Sequence, residues 1–352
     1  MTRRLGSLIV LLCIVPLPSF SQARRVRYTW LDRTAPIEIP SVAAIIVERS
    51  DTIEFEKYFH GARADSALHV MSVTKSFVSA IAGAAYDRAL FRNFDTLVLS
   101  VLPQYALRAP TAHSIRGWQD YQADDSMRRQ LTMRHLLTMQ TGLDWNDFGD
   151  AMTLLSISSD PVRFMLDVPF DTLPGSEFNY CSGSATVFGA ALAQLVGTDL
   201  LTFADSTIFG PAGITIGRWD TDPEGRCLGA AGLYVTPRNL LRFGELYLHK
   251  GMAGGKRILG EAWIDSSLAQ HAKLDHWDVT PGVNGYGYYW WRRKSHGHQV
   301  YYASGYGGQL LYVVPDLDMV IVAVCHLNAH NRGRLEIKKL HKILDRAIRA
   351  CE

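Results

Sequence analysis

Runs with strand character lie at the two ends of this chain and helical patterns fill its middle, an order that limits the folds available. From Val42 to Val47 the residues are continuously apolar, Ser50-Asp51 supplies a turn, and Thr52 to Phe59 resumes with alternating character, which reads as a β-hairpin. The last third reads as strands at Gly287 to Trp291, Val300 to Ser304, Gln309 to Val314 and Met319 to Cys325, with Pro315-Asp316 turning between the last two. Arg332 to Arg349 reads as a closing helix. Between these ends the spacing predicts helices at Met133 to Met139, Pro161 to Leu166 and Ser182 to Val196. A further helix has Thr236 as N-cap, Pro237 at its first position and Gly251 beyond its end. The polar stretch Tyr105 to Gln130, with Trp118 and Asp124-Asp125, reads as a surface loop long enough to cover something. Terminal strands forming one sheet, with an inserted helical lobe, would leave a cleft between the two, where pockets tend to lie.

Residues 1 to 23 carry Arg3 and Arg4, an apolar stretch from Leu5 to about Pro18, and small residues Ser19, Ser21 and Ala23 at cleavage spacing. This reads as a secretory signal peptide, its apolar run too short to span a bilayer. Leu12 before Cys13 argues against lipidation of that cysteine, so a soluble periplasmic or secreted protein is expected, with no membrane after cleavage. Removing the segment takes two arginines and no acid, leaving 34 basic against 34 acidic residues, a balance that offers nothing to nucleic acid or an anionic membrane. The remaining Cys181, Cys227, Cys325 and Cys351 allow three pairings if all are bridged, and free buried thiols are the alternative.

Chemistry enters at Met71-Ser-Val-Thr-Lys-Ser76. Apolar Val73, Phe77, Ile81 and Ala84 at helical spacing place Ser72 and Lys75 one turn apart on one face, near the positive end of a helix dipole. A serine hydroxyl needs a neighbouring base, and a desolvated lysine amine can serve. The alternative is an ordinary helix start, with Ser72 as N-cap and Lys75 solvated. Tyr180-Cys-Ser182 precedes the Ser182 helix, and a tyrosine hydroxyl near a lysine could relay a proton. Tyr302-Ala-Ser304 shares that pattern, so a core tyrosine is the competing reading. In Ala303-Ser-Gly-Tyr-Gly-Gly-Gln309 the glycines let a substrate approach the backbone, whose N–H groups could hold an oxyanion; a plain strand-to-strand turn is the alternative. Histidines 60, 135, 296, 298, 326 and 330 lack metal-ligand spacing, so no metal and no cofactor is expected.

Taken in order, these elements resemble the β-lactamase-related serine hydrolases: class C β-lactamases, D,D-peptidases, certain esterases and 6-aminohexanoate-dimer hydrolases. The likeness extends to Leu131-Thr-Met-Arg-His-Leu-Leu-Thr-Met-Gln-Thr-Gly-Leu143, Gly229-Ala-Ala-Gly-Leu-Tyr234, Arg238 to Gly251 and Tyr286-Gly-Tyr-Tyr-Trp-Trp291, and so to nearly all the chain after residue 23. The resemblance implies an α/β (α+β) fold of the β-lactamase/transpeptidase type, with an antiparallel sheet flanked by helices and an inserted all-helical domain. The α/β lobe would take about 24–90 and 224–352, and the helical lobe about 91–223. It implies Ser72 as the acylated nucleophile, Lys75 as its base, Tyr180 as proton shuttle, and the N–H groups of Ser72 and Tyr306 as oxyanion hole, with Ser182, Ser304 and Gly305 beside the substrate.

Two departures bear on substrate. Ser182 stands where class C enzymes commonly have Asn, as in the family's amide hydrolases and esterases. Ala303-Ser304-Gly305 replaces the Lys-Thr-Gly of β-lactam-processing members, removing a cation worth about 1.5–3 kcal/mol to a substrate carboxylate. The stretch Gly142-Leu-Asp-Trp-Asn146 resembles that of the aminohexanoate-dimer hydrolases and makes Trp145 a candidate pocket wall, core packing being the alternative. The expectation is an exported serine hydrolase acting on a small-molecule ester or amide. Competing expectations are a D,D-peptidase or D-aminopeptidase, and a penicillin-recognising sensor that acylates without turnover.

Overall fold

The computed structural model describes residues 27–107, 125–274, 280, 282–327 and 334–351. Its main sheet has seven antiparallel strands: β1 (Val42–Arg49), β2 (Thr52–Tyr58), β3 (Val283–Tyr286), β4 (Trp291–Ser295), β5 (His298–Gly305), β6 (Gln309–Val314) and β7 (Met319–Cys325). They lie in the order β2-β1-β7-β6-β5-β4-β3, so the N-terminal hairpin joins the C-terminal meander through the β1–β7 pairing. β6 and β7 are buried along their whole length and β1 up to Arg49, which explains their unbroken apolar runs: strands covered on both faces have no solvent side to make polar. The edge strand β2 is exposed or half-buried at every position but Glu54, and polar residues occupy much of it.

Five long helices accompany this sheet: α1 (Thr29–Glu38), α2 (Thr74–Asp87), α3 (Ser182–Val196), α4 (Pro237–Leu248) and α5 (Arg334–Arg349), of which α3 packs on α2 and on the short helices of the middle segment rather than on the sheet. Strand alternation sends Leu311 toward α4, where Gly244 admits it, and Tyr312 toward α5, where its ring meets His341. On α5 the buried set Leu340, Ile343, Leu344, Ala347 and Ile348 follows the helical period that such a one-sided contact demands. α2 is buried from Thr74 to Ala85, so the serine–lysine turn opens the central helix of the molecule. The ends of the other helices follow their caps: Thr236 Oγ1 accepts from Asn239 N at the start of α4, and Gly197 closes α3 in the left-handed region.

Three sequence expectations are corrected. Of Gly287 to Trp291 only Trp291 is strand, opening β4; residues 287–290 are the turn between β3 and β4, where Gly287 N donates to Trp290 O and Tyr289 has φ +60°. Its aromatic residues mimic a strand because the turn is buried, and burial is what β-propensity largely measures. In the polar stretch Tyr105 to Gln130, Asp125–Arg129 forms a helical turn whose Arg128 is buried against the carbonyl of Tyr105, while 108–124, including Trp118, lie outside the described residues. The region 91–223 is also not wholly helical. Ile216–Trp219 pairs with Leu233–Val235, and that strand with Leu68–His69, in a small three-stranded sheet. Helix α1 is an addition that the sequence reading lacks; Arg346 of α5 pairs with its Glu38 and covers its Trp30. All four described cysteines carry free thiols, and residues 1–23 lie outside the description.

Candidate active site

Ser72 stands at the junction of the small sheet and α2. Val70 N donates to Leu233 O, then Met71 turns the chain at φ +51° and a 3-10 turn, Met71–Val73, leads into the helix. A left-handed methionine is costly backbone, of order 1 kcal/mol, and it aims the next side chain out of the helix axis. Thr74 holds the corner, its hydroxyl donating to Met71 O at 2.6 Å and accepting from Leu233 N at 3.3 Å. Ser72 caps neither the turn nor the helix, and Lys75 is 1% exposed, so the reading as an ordinary capped helix with a solvated lysine does not hold.

Lys75 Nζ reaches three oxygens: Ser72 Oγ at 2.8 Å, Ala230 O at 2.9 Å and Ser182 Oγ at 3.1 Å. Burial pushes its ammonium down to about 8, against the pull of the Asp147 carboxylate. Two close approaches set this geometry. A β-carbon on Gly229 would lie 2.1 Å from the carbonyl of Ala185 in α3, so glycine brings the 229–231 loop, and with it the Ala230 carbonyl, onto the lysine. His69 Nε2 accepts from Gly232 N at 2.9 Å and fixes the other end of that loop.

Tyr180 lies beside this pair. Its ring is 5.1 Å from Lys75 Nζ and stacks on Trp291 at 5.3 Å, and it shares the cavity wall with Ser72. Burial raises the phenol above its ordinary value, the Asp147 charge adds to this, and the neighbouring Ser72 hydroxyl pulls the other way, so the hydroxyl keeps its proton at neutral pH. The competing Tyr302 is buried in the main sheet against Trp291 and Tyr312.

Asp147 is absent from the sequence reading. Its Oδ1 accepts from Ser182 N at 2.8 Å and Trp145 Nε1 at 2.5 Å, and its Oδ2 accepts from Ser182 Oγ at 2.6 Å. Trp145 is therefore a buried residue that holds Asp147; it does not line the pocket. A carboxylate two places after a tryptophan is unremarkable in a sequence, and only the fold brings it to Ser182, 35 residues on.

A cavity of about 380 Å³ opens over these groups. Ser72, Tyr180, Ser182, Ser304, Gly305 and Tyr306 all contribute to its wall. Met71, Phe148, Met152, Trp291 and Ile337 make much of the remaining wall apolar, and Asp147 is the one charged residue among the described residues that line it. Ser304 and Gly305 end β5, which packs against the turn carrying Ser72, so Tyr306 begins its loop beside the nucleophile position. Among the described residues no cluster of His, Cys, Asp and Glu could hold a metal ion.

A buried lysine against a serine, on helices flanking an antiparallel sheet, defines a serine hydrolase of the β-lactamase/transpeptidase-like fold. The Beta-lactamase family model matches residues 33–344, and the chain belongs to that family. The 6-aminohexanoate-dimer hydrolase of Paenarthrobacter ureafaciens is 25% identical over 291 residues, covering 79% of this chain and 71% of that one. Among solved structures, EstCE1, a hydrolase with promiscuous acyltransferase activity, aligns with a TM-score of 0.68 at 17% identity, over 92% of this chain and 99% of that one. The octameric penicillin-binding protein homologue from Pyrococcus abyssi aligns with a TM-score of 0.66 at 15% identity, over 92% of this chain and 77% of that one. At these identities the solved structures speak for the fold alone.

Proposed function

We propose that this protein cleaves a small ester or amide through an acyl-enzyme on Ser72. The observation that carries the reading is the 2.8 Å contact between Lys75 Nζ and Ser72 Oγ in a site where burial has brought the lysine to about 8. In acylation the Ser72 oxygen attacks the substrate carbonyl and its proton passes to the lone pair of neutral Lys75. The N–H groups of Ser72 and Tyr306 stabilise the resulting oxyanion. As the carbon–leaving-group bond breaks, Tyr180 gives its proton to the departing nitrogen or oxygen and takes one from Lys75, which restores the amine. Water then repeats the sequence in reverse on the acyl-enzyme.

The cavity supports a substrate class. Its walls are largely apolar, and Ala303-Ser304-Gly305 offers no cation, so an acyl group with an apolar body and no carboxylate anchor fits best. Turnover of β-lactams, which carry such a carboxylate, is expected to be weak. The name of the Paenarthrobacter relative makes linear amides of amino acids a reasonable member of the test panel. Export to the periplasm or medium follows from residues 1–23 as part of the same proposal, with neither nucleic acid nor membrane as a partner.

The test is a panel of p-nitrophenyl esters, linear amides, D-amino-acid peptides and nitrocefin, run with wild type and Ser72→Ala. Multiple turnovers of an ester or linear amide, lost in S72A together with fluorophosphonate labelling, are expected. A single acylation without turnover would make the protein a sensor, and release of D-alanine would make it a D,D-peptidase. Labelling that persists in S72A would overturn the assignment of the nucleophile.

A further inference from the structure

The hydrogen bonds around Lys75 can be assigned direction, and the direction leads to Asp147. A serine hydroxyl has one hydrogen to donate, whereas a carboxylate oxygen and a peptide carbonyl only accept. Ser182 Oγ lies 2.6 Å from Asp147 Oδ2, so its hydrogen goes to the carboxylate. Toward Lys75 Nζ, 3.1 Å away, Ser182 can then only accept. Ala230 O, at 2.9 Å, also only accepts. A neutral lysine amine has two hydrogens and one lone pair. Both hydrogens are taken by these two acceptors, and the third direction, toward Ser72 Oγ at 2.8 Å, is left to the lone pair.

We propose that Asp147 is a positioning residue for the acylation base: by taking the Ser182 hydroxyl hydrogen it fixes the direction of the Lys75–Ser182 bond and reserves the Lys75 lone pair for the Ser72 proton. This rests on the proposed acyl-enzyme chemistry. No proton passes to Asp147 in the cycle; the Ser72 proton moves to Lys75 Nζ, and the carboxylate stays an acceptor throughout. Its geometry is held independently of substrate, because Trp145 Nε1 and Ser182 N both donate to Oδ1 and leave Oδ2 facing the Ser182 hydroxyl. The same carboxylate opposes the loss of the lysine proton, so alignment comes with a smaller fraction of neutral Lys75 at low pH. The titratable groups facing Lys75 are Asp147, Cys181 and Tyr180.

Asp147→Asn reverses the arrangement. The two donors on Oδ1 require the carboxamide oxygen there, which places the amide nitrogen at the Oδ2 position, donating to Ser182 Oγ. The Ser182 hydrogen then turns to the Lys75 lone pair and competes with Ser72. The experiment is the pH dependence of kcat/KM for a p-nitrophenyl ester in wild type, D147N, D147E, S182A and D147N/S182A. D147N should lower the high-pH plateau about tenfold and move the acid limb to lower pH. In the S182A background the same change should move the limb without a further plateau loss, since the hydroxyl to be directed is gone. D147E, still only an acceptor, should recover part of the plateau.

A wild-type plateau in D147N, an unmoved limb, an equal loss on top of S182A, or equal loss in D147E and D147N would each overturn the proposal. If D147N does not fold, as judged by circular dichroism, the comparison of D147E with D147E/S182A carries the same test of coupling. Wild-type protein that neither turns over nor labels at Ser72 would instead overturn the acyl-enzyme reading, a distinct result.

Discussion

Gly305 and Val70 touch so closely that a β-carbon on Gly305 would stand 2.3 Å from the Val70 carbonyl oxygen and 3.0 Å from the side chain of Met71. The end of β5 is thereby pressed against the backbone that enters the Ser72 turn, and Tyr306, the next residue, is brought beside the nucleophile. The opposing atom is backbone, which has nowhere to move without shifting Ser72. Gly305→Ala should therefore retain its secondary structure, lose about 1–3 kcal/mol of stability, and fall at least tenfold in kcat/KM, chiefly through kcat. Thermal unfolding alongside ester kinetics checks this; an alanine variant with unchanged kcat would show that the β5 end does not help form the oxyanion site.

Lys75 must be neutral to accept the Ser72 proton, and burial has brought its conjugate acid from 10.5 to about 8. The sign is therefore fixed: kcat/KM should rise with pH, passing through its half-maximum near 8, and level off above. Lys75→Arg keeps the charge but cannot shed its proton in this range, so acylation should fall by about a hundredfold or more at every pH. Single-turnover acylation across the pH range reads both, and a profile flat around 8 would remove lysine from the base role.

Most of the sheet is legible in the sequence, because strands such as Gln309–Val314 and Met319–Cys325 carry unbroken apolar runs between strong turn residues, and helix Ser182–Val196 is bounded by its own cap and glycine. The buried turn after β3 is not legible, because Tyr288, Tyr289 and Trp290 satisfy the compositional rule for a strand while obeying a different geometry. In the site, Ser72 and Lys75 are legible as a local pair, since one helical turn relates them. Asp147, Ala230 O and His69 are not, for opposite reasons. A backbone carbonyl has no sequence signature, and a lone acid or histidine acquires meaning only when folding sets it against a partner more than thirty residues away.

A second buried acid sits far from the catalytic groups. Glu48 on β1 is 6% exposed and lies beside Glu245 of α4; burial, then the Glu245 charge, raises its carboxyl from 4.5 to about 8. Because the folded value lies above the unfolded one, the stabilisation from this protonated pair is full below 4.5 and is lost as pH rises through about 8. Glu48→Gln keeps a neutral hydrogen-bonding group there at all pH values. Urea unfolding should show wild type losing about 2 kcal/mol relative to E48Q between about pH 5 and pH 9. Parallel pH profiles for the two proteins would mean that the pair does not share a proton.

His341 gives the opposite slope. It is fully buried on α5 among the Tyr312 hydroxyl, Thr280 Oγ1 at 3.3 Å and Arg293 Nη1 at 3.5 Å, the last also tied through Nη2 to Asp345 at 2.8 Å. Burial, and then the Arg293 charge, hold its imidazole neutral well below 6.5. The unfolded chain takes up a proton at 6.5 that the folded protein refuses, so stability is complete above 6.5 and declines as pH falls toward the depressed folded value. His341→Gln removes the titrating group but leaves the Tyr312 hydroxyl with a poorer partner, so it should cost about 1–3 kcal/mol at neutral pH and show a shallower loss in acid. The two unfolding curves should converge between about pH 7 and pH 5. Since Thr280 also lines the cavity, the variant should raise KM for esters with little change in the Lys75 limb of the pH profile, which separates a floor that shapes the pocket from a group that takes part in proton transfer.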